Sequence, residues 1–197
     1  NVMVYRESPI AAQDVLDFGA EHVVLATGSA WRRDGYGRSN GSAIAGFGDA
    51  VLTPDDLMAG RLPSGHVVIF DDDAFYLGSV MAELLIKAGC TVTIVTPEDT
   101  VSSWSTNTLD FRHIQKRLYA LGVQQVTSHN IVFASAGGVR AQHHWYGVIQ
   151  DLACDAIVSV TARLPNDALH AELLSRESEW DAAGVKSVQC IGDAHAP

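Results

Sequence analysis

Residues 66–95 read HVVIFDDDAFYLGSVMAELLIKAGCTVTIV, and this stretch decides the fold. His66–Phe70 and Thr91–Val95 are apolar runs rich in β-branched residues, which is typical of buried strands. Leu77–Ala88 between them has helical periodicity and ends at Gly89. A strand, a helix and a strand in about 30 residues predict a βαβ unit with parallel strands and a right-handed crossover. The chain is therefore predicted to be an α/β protein built on a parallel sheet.

Further elements on the carboxyl side complete a domain around this unit. Apolar spacing predicts a helix over about Leu109–Leu121, and Gly137-Gly138 lies between short apolar runs in a pattern typical of a β-hairpin. Ala156–Val160 is another predicted buried strand. Residues 61–164 are therefore predicted to form a Rossmann-like domain.

The flanking segments carry their own signals and are predicted to form a second, partial domain from residues 1–60 and 165–197. The predicted strands are Val2–Tyr5, His22–Ala26 and Ser187–Ile191. The predicted helices are Ala11–Phe18, a short one starting at Thr53 and one near Asp167–Leu174. Residues 29–50 are predicted to be a long glycine-rich loop or a linker. The Rossmann-like domain is thus expected to be inserted into the partial one.

Composition excludes several function classes. The formal charge is −10, from 23 acidic residues against 13 Lys and Arg, so a nucleic-acid backbone would be repelled. No apolar run reaches the ~18–20 residues that cross a bilayer, and no secretion signal is present, so we expect no membrane association and a cytoplasmic location. The chain begins at Asn1 rather than Met, and both ends look cut, which predicts an excised piece of a longer polypeptide.

Metal binding is not predicted. Cys90, Cys154 and Cys190 lie far apart and lack the C-x-x-C spacing of iron–sulfur or zinc sites. His143 and His144 are adjacent, so on a strand their side chains would point to opposite faces.

Two strand ends are candidates for contact with a nucleotide, because ligands of open α/β sheets bind at the carboxyl ends of strands. One strand ends in Ala26-Thr27-Gly28, whose small residues would let a cofactor approach the backbone. The last strand ends in Gly192-Asp193, which would present a carboxylate and a helix start. Together the two turns are typical of an FAD/ADP-binding-type domain.

The turn inside the βαβ unit departs from a nucleotide-binding sequence. A dinucleotide site needs G-x-G-x-x-G there, so that backbone amides can hold a pyrophosphate. This chain has Asp71-Asp72-Asp73 instead, and glycine returns only at Gly78. Up to three carboxylates are expected to face an incoming diphosphate, each costing ~1 kcal/mol or more in repulsion, so the site is predicted to be degenerate. The alternative is that the acids stabilise the start of the following helix.

The chain resembles the C-terminal region of the trimethylamine, dimethylamine and histamine dehydrogenases, which are related to 2,4-dienoyl-CoA reductase. The resemblance covers nearly the whole chain, and the segments that carry it are Val23–Arg32, Asp71–Gly78, Val92–Pro97, Val101–Thr108, Val160–Pro165 and Ile191–Pro197. The aspartate-rich turn and the Ser-Ser-Trp run at 102–104 are the most specific of these.

The resemblance implies a parent flavoprotein with FMN in a barrel domain, a 4Fe–4S cluster, and ADP (or FAD) in the partial domain. By position it implies that Ala26, Thr27, Gly28, Gly192 and Asp193 face the adenine nucleotide or flavin. It also implies a homo-oligomeric parent that passes electrons to an electron-transferring flavoprotein or a similar acceptor. The fragment itself is expected to hold no cofactor and no catalytic residue.

Three functions remain open from the sequence. The favoured one is a structural and nucleotide-associated region of an amine dehydrogenase that is not catalytic alone. The others are an NAD(P)H-binding domain, as in a dienoyl-CoA-reductase-like enzyme, and a module that docks a redox partner.

Overall fold

The computed structural model describes residues 2–196 and has the expected α/β architecture. The α-helices are α1 (Ala12–Phe18), α2 (Pro54–Met58), α3 (Leu77–Lys87), α4 (Phe111–Ala120), α5 (Ala168–Ser175) and α6 (Trp180–Ala183). The strands are β1 (His22–Leu25), β2 (Ser29–Trp31), β3 (His66–Asp71), β4 (Thr91–Val95), β5 (Gln124–Val126), β6 (His129–Ser135), β7 (Gly138–His143), β8 (Ile149–Ala153), β9 (Ala156–Val160), β10 (Arg163–Pro165) and β11 (Ser187–Cys190). Short 3₁₀ helices occupy Ser103–Thr108, Glu177–Glu179 and Gly192–Ala194. Within residues 2–196 no helix is long and apolar enough to cross a membrane.

The chain divides into two compact units. Unit 1 comprises the residues up to Ala30 together with those from Leu164 onward, and unit 2 comprises Trp31–Arg163. The predicted division into a partial domain of residues 1–60 and 165–197 and an inserted domain of residues 61–164 stays a prediction. Residues 31–60 are part of unit 2 because Leu52 donates to Ile157 and accepts from Ser159 through backbone bonds of 2.9 and 2.8 Å.

Unit 2 is centred on a parallel sheet whose strand order is β5-β4-β3-β9. Strand β3 is buried almost throughout because both of its faces are covered, as expected for parallel strands. On one face Val67 and Ile69 belong to a core that includes Leu85 of α3. On the other face Val68 and Phe70 pack in a second core with residues of the antiparallel sheet β6-β7-β8. The predicted βαβ unit and hairpin are therefore both present.

Unit 1 contains a parallel two-stranded sheet of β1 and β11. Its apolar core is small and includes Leu16 of α1, Leu25 of β1 and Leu173 of α5. The predicted strand Val2–Tyr5 is wrong: these residues have no regular structure and their side chains are 67–88% exposed. Alternation or apolarity produces a strand only where a neighbouring edge offers hydrogen bonds, and Val2–Tyr5 pair with no strand in the described part of the chain.

The predicted loop 29–50 begins with the strand β2 (Ser29–Trp31), which the sequence did not predict. The remainder of the loop is irregular and is held within unit 2 by hydrogen bonds. Ala134 of β6 donates a backbone hydrogen bond of 2.9 Å to Ala45, and Ile44 is buried in the second core. At the end of the loop, Asp56 in α2 forms ion pairs with Arg33 and Arg61. The segment is therefore part of the domain and not a linker.

Candidate functional site

The ends of β1 and β11 lie side by side at one edge of unit 1. The strands are parallel, and their residues pair in register from His22 with Ser187 to Leu25 with Cys190. The N–H of Ile191 continues the ladder by donating to the carbonyl of Leu25 at 2.9 Å. The structure thus brings together the two turns that the sequence singled out, Ala26–Gly28 and Gly192-Asp193. That these turns face a nucleotide stays a prediction.

The backbone of both turns is open to a ligand. Gly28 and Gly192 have φ angles of 72° and 63°, a left-handed conformation that side chains rarely adopt. A Cβ added at either position would find no other heavy atom within 4 Å, so the space beside each glycine is empty of protein. Ala26 and Thr27 are also exposed. A flat ligand or a phosphate group can therefore approach this edge closely.

Thr27 has a structural task in the turn. Its hydroxyl donates to the carbonyl of Asn166 at 2.5 Å, and the Asn166 side-chain amide donates back to the Thr27 carbonyl at 3.1 Å. The Asn166 N–H also donates to the carbonyl of Gly28 at 2.9 Å. Asn166 therefore fixes the shape of the Ala26–Gly28 turn, a role that the sequence interpretation missed because no local pattern marks it.

Asp193 supplies the negative charge of this edge. It is exposed, and the hydroxyl of Ser29 donates to its Oδ2 at 3.5 Å. Beneath it the thiol of Cys190 donates to the carbonyl of Ala194 at 3.2 Å and closes the turn. A carboxylate accepts hydrogen bonds from hydroxyl groups, such as those of a ribose, and repels phosphate. This edge thus offers a carboxylate that can accept hydrogen bonds from hydroxyl groups, beside backbone at Gly28 and Gly192 that no side chain covers.

The aspartate-rich turn of unit 2 differs from its prediction. The three carboxylates were expected to face a diphosphate, but Asp71 is 0% exposed and Asp72 is 1% exposed. Asp72 accepts hydrogen bonds from the backbone N–H and the hydroxyl of Ser39, at 2.9 Å for the N–H. Only Asp73 remains partly exposed. The acids therefore face the interior, because a segment from elsewhere in unit 2 covers them.

Asp71 is the most unusual ionisable group of this turn. Its Oδ1 accepts the N–H of Ala74 at 2.9 Å, whereas its buried Oδ2 has no hydrogen-bond partner. Burial, together with the smaller effect of the nearby charges of Asp73 and Asp72, raises the pKa of Asp71 to about 7, although the hydrogen bond from Ala74 acts in the opposite direction. A Cβ added at Gly78, in the first turn of α3, would lie only 2.6 Å from the Asp71 Cγ. The carboxylate thus lies beside the start of the helix. Because α3 has no side-chain hydrogen bond at its N-cap and no acidic residue in its first turn, the alternative that the acids stabilise the helix start stays a prediction.

The histidine pair has a structural role in the loop after β7. The Nδ1 atom of His143 accepts the backbone N–H groups of Trp145 at 3.1 Å and Tyr146 at 3.4 Å. Across residues 2–196 no group of three or more His, Cys, Asp or Glu side chains is arranged to hold a metal ion.

Comparison with known proteins gives matches to flavoprotein oxidoreductases. Residues 52–148 match the family described as the OYE-like second alpha/beta domain. The chain is 30% identical to a dimethylamine dehydrogenase from Hyphomicrobium sp. (strain x), over 98% of this chain and 29% of that protein.

Solved structures agree with this match. A histamine dehydrogenase from Rhizobium sp. 4-9 is 41% identical with a TM-score of 0.92, over 97% of this chain and 30% of that one. The 6-hydroxypseudooxynicotine amine oxidase of Pseudomonas geniculata N1 is 36% identical with a TM-score of 0.92, over 98% and 29%. A thioredoxin reductase from T. acidophilum, 12% identical with a TM-score of 0.58 over 76% and 47%, shares the fold alone. The chain spans less than a third of the length of the amine-oxidising proteins that it matches.

Proposed function

Because the chain belongs to the family of the trimethylamine, dimethylamine and histamine dehydrogenases, we propose that it is the C-terminal region of a flavin-dependent amine oxidoreductase. In that protein its role is structural and nucleotide-associated, and the catalytic centre lies in another part of the polypeptide. Unit 1 corresponds to a partial FAD/ADP-binding-type domain, and unit 2 to an inserted Rossmann-like domain.

The adjacent strand ends of unit 1 are the observation that supports this role most strongly. Gly28 and Gly192 leave open backbone on neighbouring strands, and Asp193 offers a carboxylate beside them. These groups fit the ribose and phosphate parts of ADP or of the ADP half of FAD. Ala26, Thr27 and Gly28 would border the nucleotide, and Gly192 and Asp193 would contact it from the second strand.

The redox cofactors of the parent protein belong to this proposal as well. FMN would supply the two-electron acceptor for the amine and a 4Fe–4S cluster the path to an outside acceptor, and neither group is assigned to a residue of this chain. We further propose a cytoplasmic homo-oligomer whose electron acceptor is an electron-transferring flavoprotein or a protein like it.

The principal alternative is an NAD(P)H-binding function for unit 2. The buried Asp71 and Asp72 oppose it, since the turn lacks the glycines whose amides would hold a pyrophosphate. Titration of the whole protein with NADPH separates the two proposals. Micromolar binding that is lost on substitution of Gly78, in the first turn of α3, would favour the alternative.

The nucleotide site is tested by substitution in the full-length protein. We expect Asp193→Asn to weaken adenine-nucleotide retention about tenfold or more, since a hydrogen bond to a charged group contributes roughly 1.5–3 kcal/mol. Ala26→Glu should expel the nucleotide by adding a negative charge at an exposed position without straining the backbone. The matched control is Ala182→Glu, which adds the same charge to an exposed position of α6 in the same unit.

The measurement is the amount and identity of the nucleotide released on denaturation, determined by chromatography and mass spectrometry after dialysis. Loss in both site variants, with full retention in the control, supports the proposal. Equal nucleotide content in all three proteins and in the wild type would refute it.

A further inference from the structure

The usual ligand crevice of unit 2 lies where the carboxyl ends of β3 and β9 meet. In the order β5-β4-β3-β9, the chain proceeds from β3 to β4 on one side and later returns to β9 on the other. Ligands of open parallel sheets bind at the point where the direction of winding reverses in this way. Asp71 is the last residue of β3 at this point, Asp72 and Asp73 follow it, and Thr161 follows β9.

A segment of unit 2 itself covers this crevice. The segment Tyr36–Asn40, here called the strap, is bound to the ends of both strands. On the β3 side, Ser39 donates its N–H (2.9 Å) and its hydroxyl to the carboxylate of Asp72. On the β9 side, the N–H of Ala162 donates to the carbonyl of Tyr36 at 3.1 Å.

The strap packs closely against the strand ends. Gly37 is buried, and a Cβ added there would lie 3.1 Å from the Asp72 Cγ and 3.2 Å from the Thr161 Cβ. The turn is closed by a 3.0 Å hydrogen bond from the Gly37 N–H to the Asn40 carbonyl. No space for a diphosphate remains between the strap and these two residues.

The strap also contacts residues beyond the ends of β3 and β9. Arg38 forms an ion pair with Glu98, which follows β4, and its guanidinium lies 5.7 Å from the ring centroid of Trp104. The Ser39 hydroxyl also lies 3.2 Å from Oδ1 of Asn130 in β6. The strap is therefore fastened to residues that follow or belong to four different strands.

The place where a ligand phosphate would bind, at the start of α3, is occupied as well. A ligand phosphate would bind at the start of α3, where backbone N–H groups and the helix dipole favour negative charge. The fully buried carboxylate of Asp71 reaches this first turn beside Gly78, where its Oδ2 has no hydrogen-bond partner in the described part of the chain.

We propose that unit 2 is a dinucleotide-binding domain that its own chain keeps closed: the strap, fastened by Asp72, occupies the ligand crevice, and the Asp71 carboxylate occupies the phosphate position. The ligand class that the opened crevice would take is a nucleotide with a diphosphate. This inference goes beyond the proposed function, which concerns the turns of unit 1, and does not depend on it.

Strap closure is tested by limited trypsin digestion of the full-length protein. Arg38 is 43% exposed and is held by its ion pair with Glu98, so we expect the Arg38–Ser39 bond to be cleaved faster when the strap leaves the crevice. We expect Asp72→Ala to accelerate cleavage at Arg38–Ser39 at least tenfold, as followed by mass spectrometry. Ser39→Ala, which keeps the backbone hydrogen bond, should give a smaller acceleration and serves if Asp72→Ala does not fold. Ser42→Ala, at an exposed position of the same loop, is the matched control.

The second arm measures ligand binding by calorimetry, with inorganic pyrophosphate and NADH as the probes. We expect Asp71→Gly combined with Asp72→Ala, or with Ser39→Ala if needed, to bind both probes at least tenfold more tightly than the wild type. Unchanged cleavage in the strap variants would overturn the proposal, and so would faster cleavage without any gain in binding. The nucleotide content of unit 1 is measured in the same samples. Loss of nucleotide there would count against the proposed function alone, and not against closure of unit 2 by the strap.

Discussion

At the scale of single residues, Asp71 couples the stability of unit 2 to pH. Its folded-state pKa of about 7 lies above the value near 3.9 of an unfolded chain, so the folded state binds the proton more tightly. The resulting stability is complete below pH 4 and is lost as the pH rises through 7. The Asp71→Asn variant resembles the protonated carboxyl at every pH. We therefore expect its free energy of unfolding, relative to that of the wild type, to be roughly 2–3 kcal/mol higher at pH 8 than at pH 5.

Urea unfolding at the two pH values measures this difference for Asp71. Asp49→Asn is the control, because Asp49 is exposed in the same unit. An Asp71→Asn variant whose stability relative to the wild type is the same at pH 5 and pH 8 would contradict the buried, titrating carboxyl.

At the scale of elements, the short helix α2 depends on Asp56 for its attachment to the preceding loop. Hydrogen bonds from Arg33, and then the backbone N–H of Thr53, lower the pKa of Asp56 to about 2. This stability is present above pH 4 and is lost as the pH falls through 2. We expect Asp56→Asn to lower the free energy of unfolding by about 2 kcal/mol at pH 7, and by roughly half of that at pH 3.

Chemical denaturation at pH 7 and pH 3 tests the role of Asp56, again with Asp49→Asn as the control. Equal losses at both pH values would mean that the ion pairs with Arg33 and Arg61 contribute little, as is common for exposed pairs.

At the scale of the whole molecule, the two units differ in how well their sheets are covered. Unit 2 has a four-stranded sheet with apolar cores on both faces, whereas the β1-β11 sheet of unit 1 has two strands and packs on one small core. In hydrogen exchange on the 197-residue chain we expect amides of Val67–Phe70 and Thr91–Val95 to exchange at least 100-fold more slowly than those of Ala26–Gly28 and Gly192–Ala194. Similar protection in both units would contradict this division of stability.

Much of the fold could be predicted because its signals are local. The βαβ unit has apolar strands and a helix that is followed by Gly89, and each of these signals is readable within a few residues. The common edge of Ala26–Gly28 and Gly192-Asp193 could be predicted too, since parallel strands end together. These are consequences of periodicity and of sheet geometry.

What could not be predicted depends on contacts between distant residues. The burial of Asp72 is set by Ser39, 33 positions away, and the shape of the Thr27 turn by Asn166, 139 positions away. Val2–Tyr5 has the composition of a strand, but only a neighbouring edge decides whether such a segment pairs. Local sequence contains none of this information.

The ring contact between Trp31 and Arg163 bears on the order in which the chain assembles. The guanidinium of Arg163 lies 5.0 Å from the ring centroid of Trp31, so the first and last residues of unit 2 are neighbours. Pairing His22 with Ser187 must close a loop of 165 residues, and loop-closure entropy grows with the logarithm of length. If unit 2 condenses first, only about 33 flexible residues remain between the pairing strands, which lowers the closure cost by about 1.5 kcal/mol. The pairing of β1 with β11, which are far apart in sequence, then requires the closure of only a short loop.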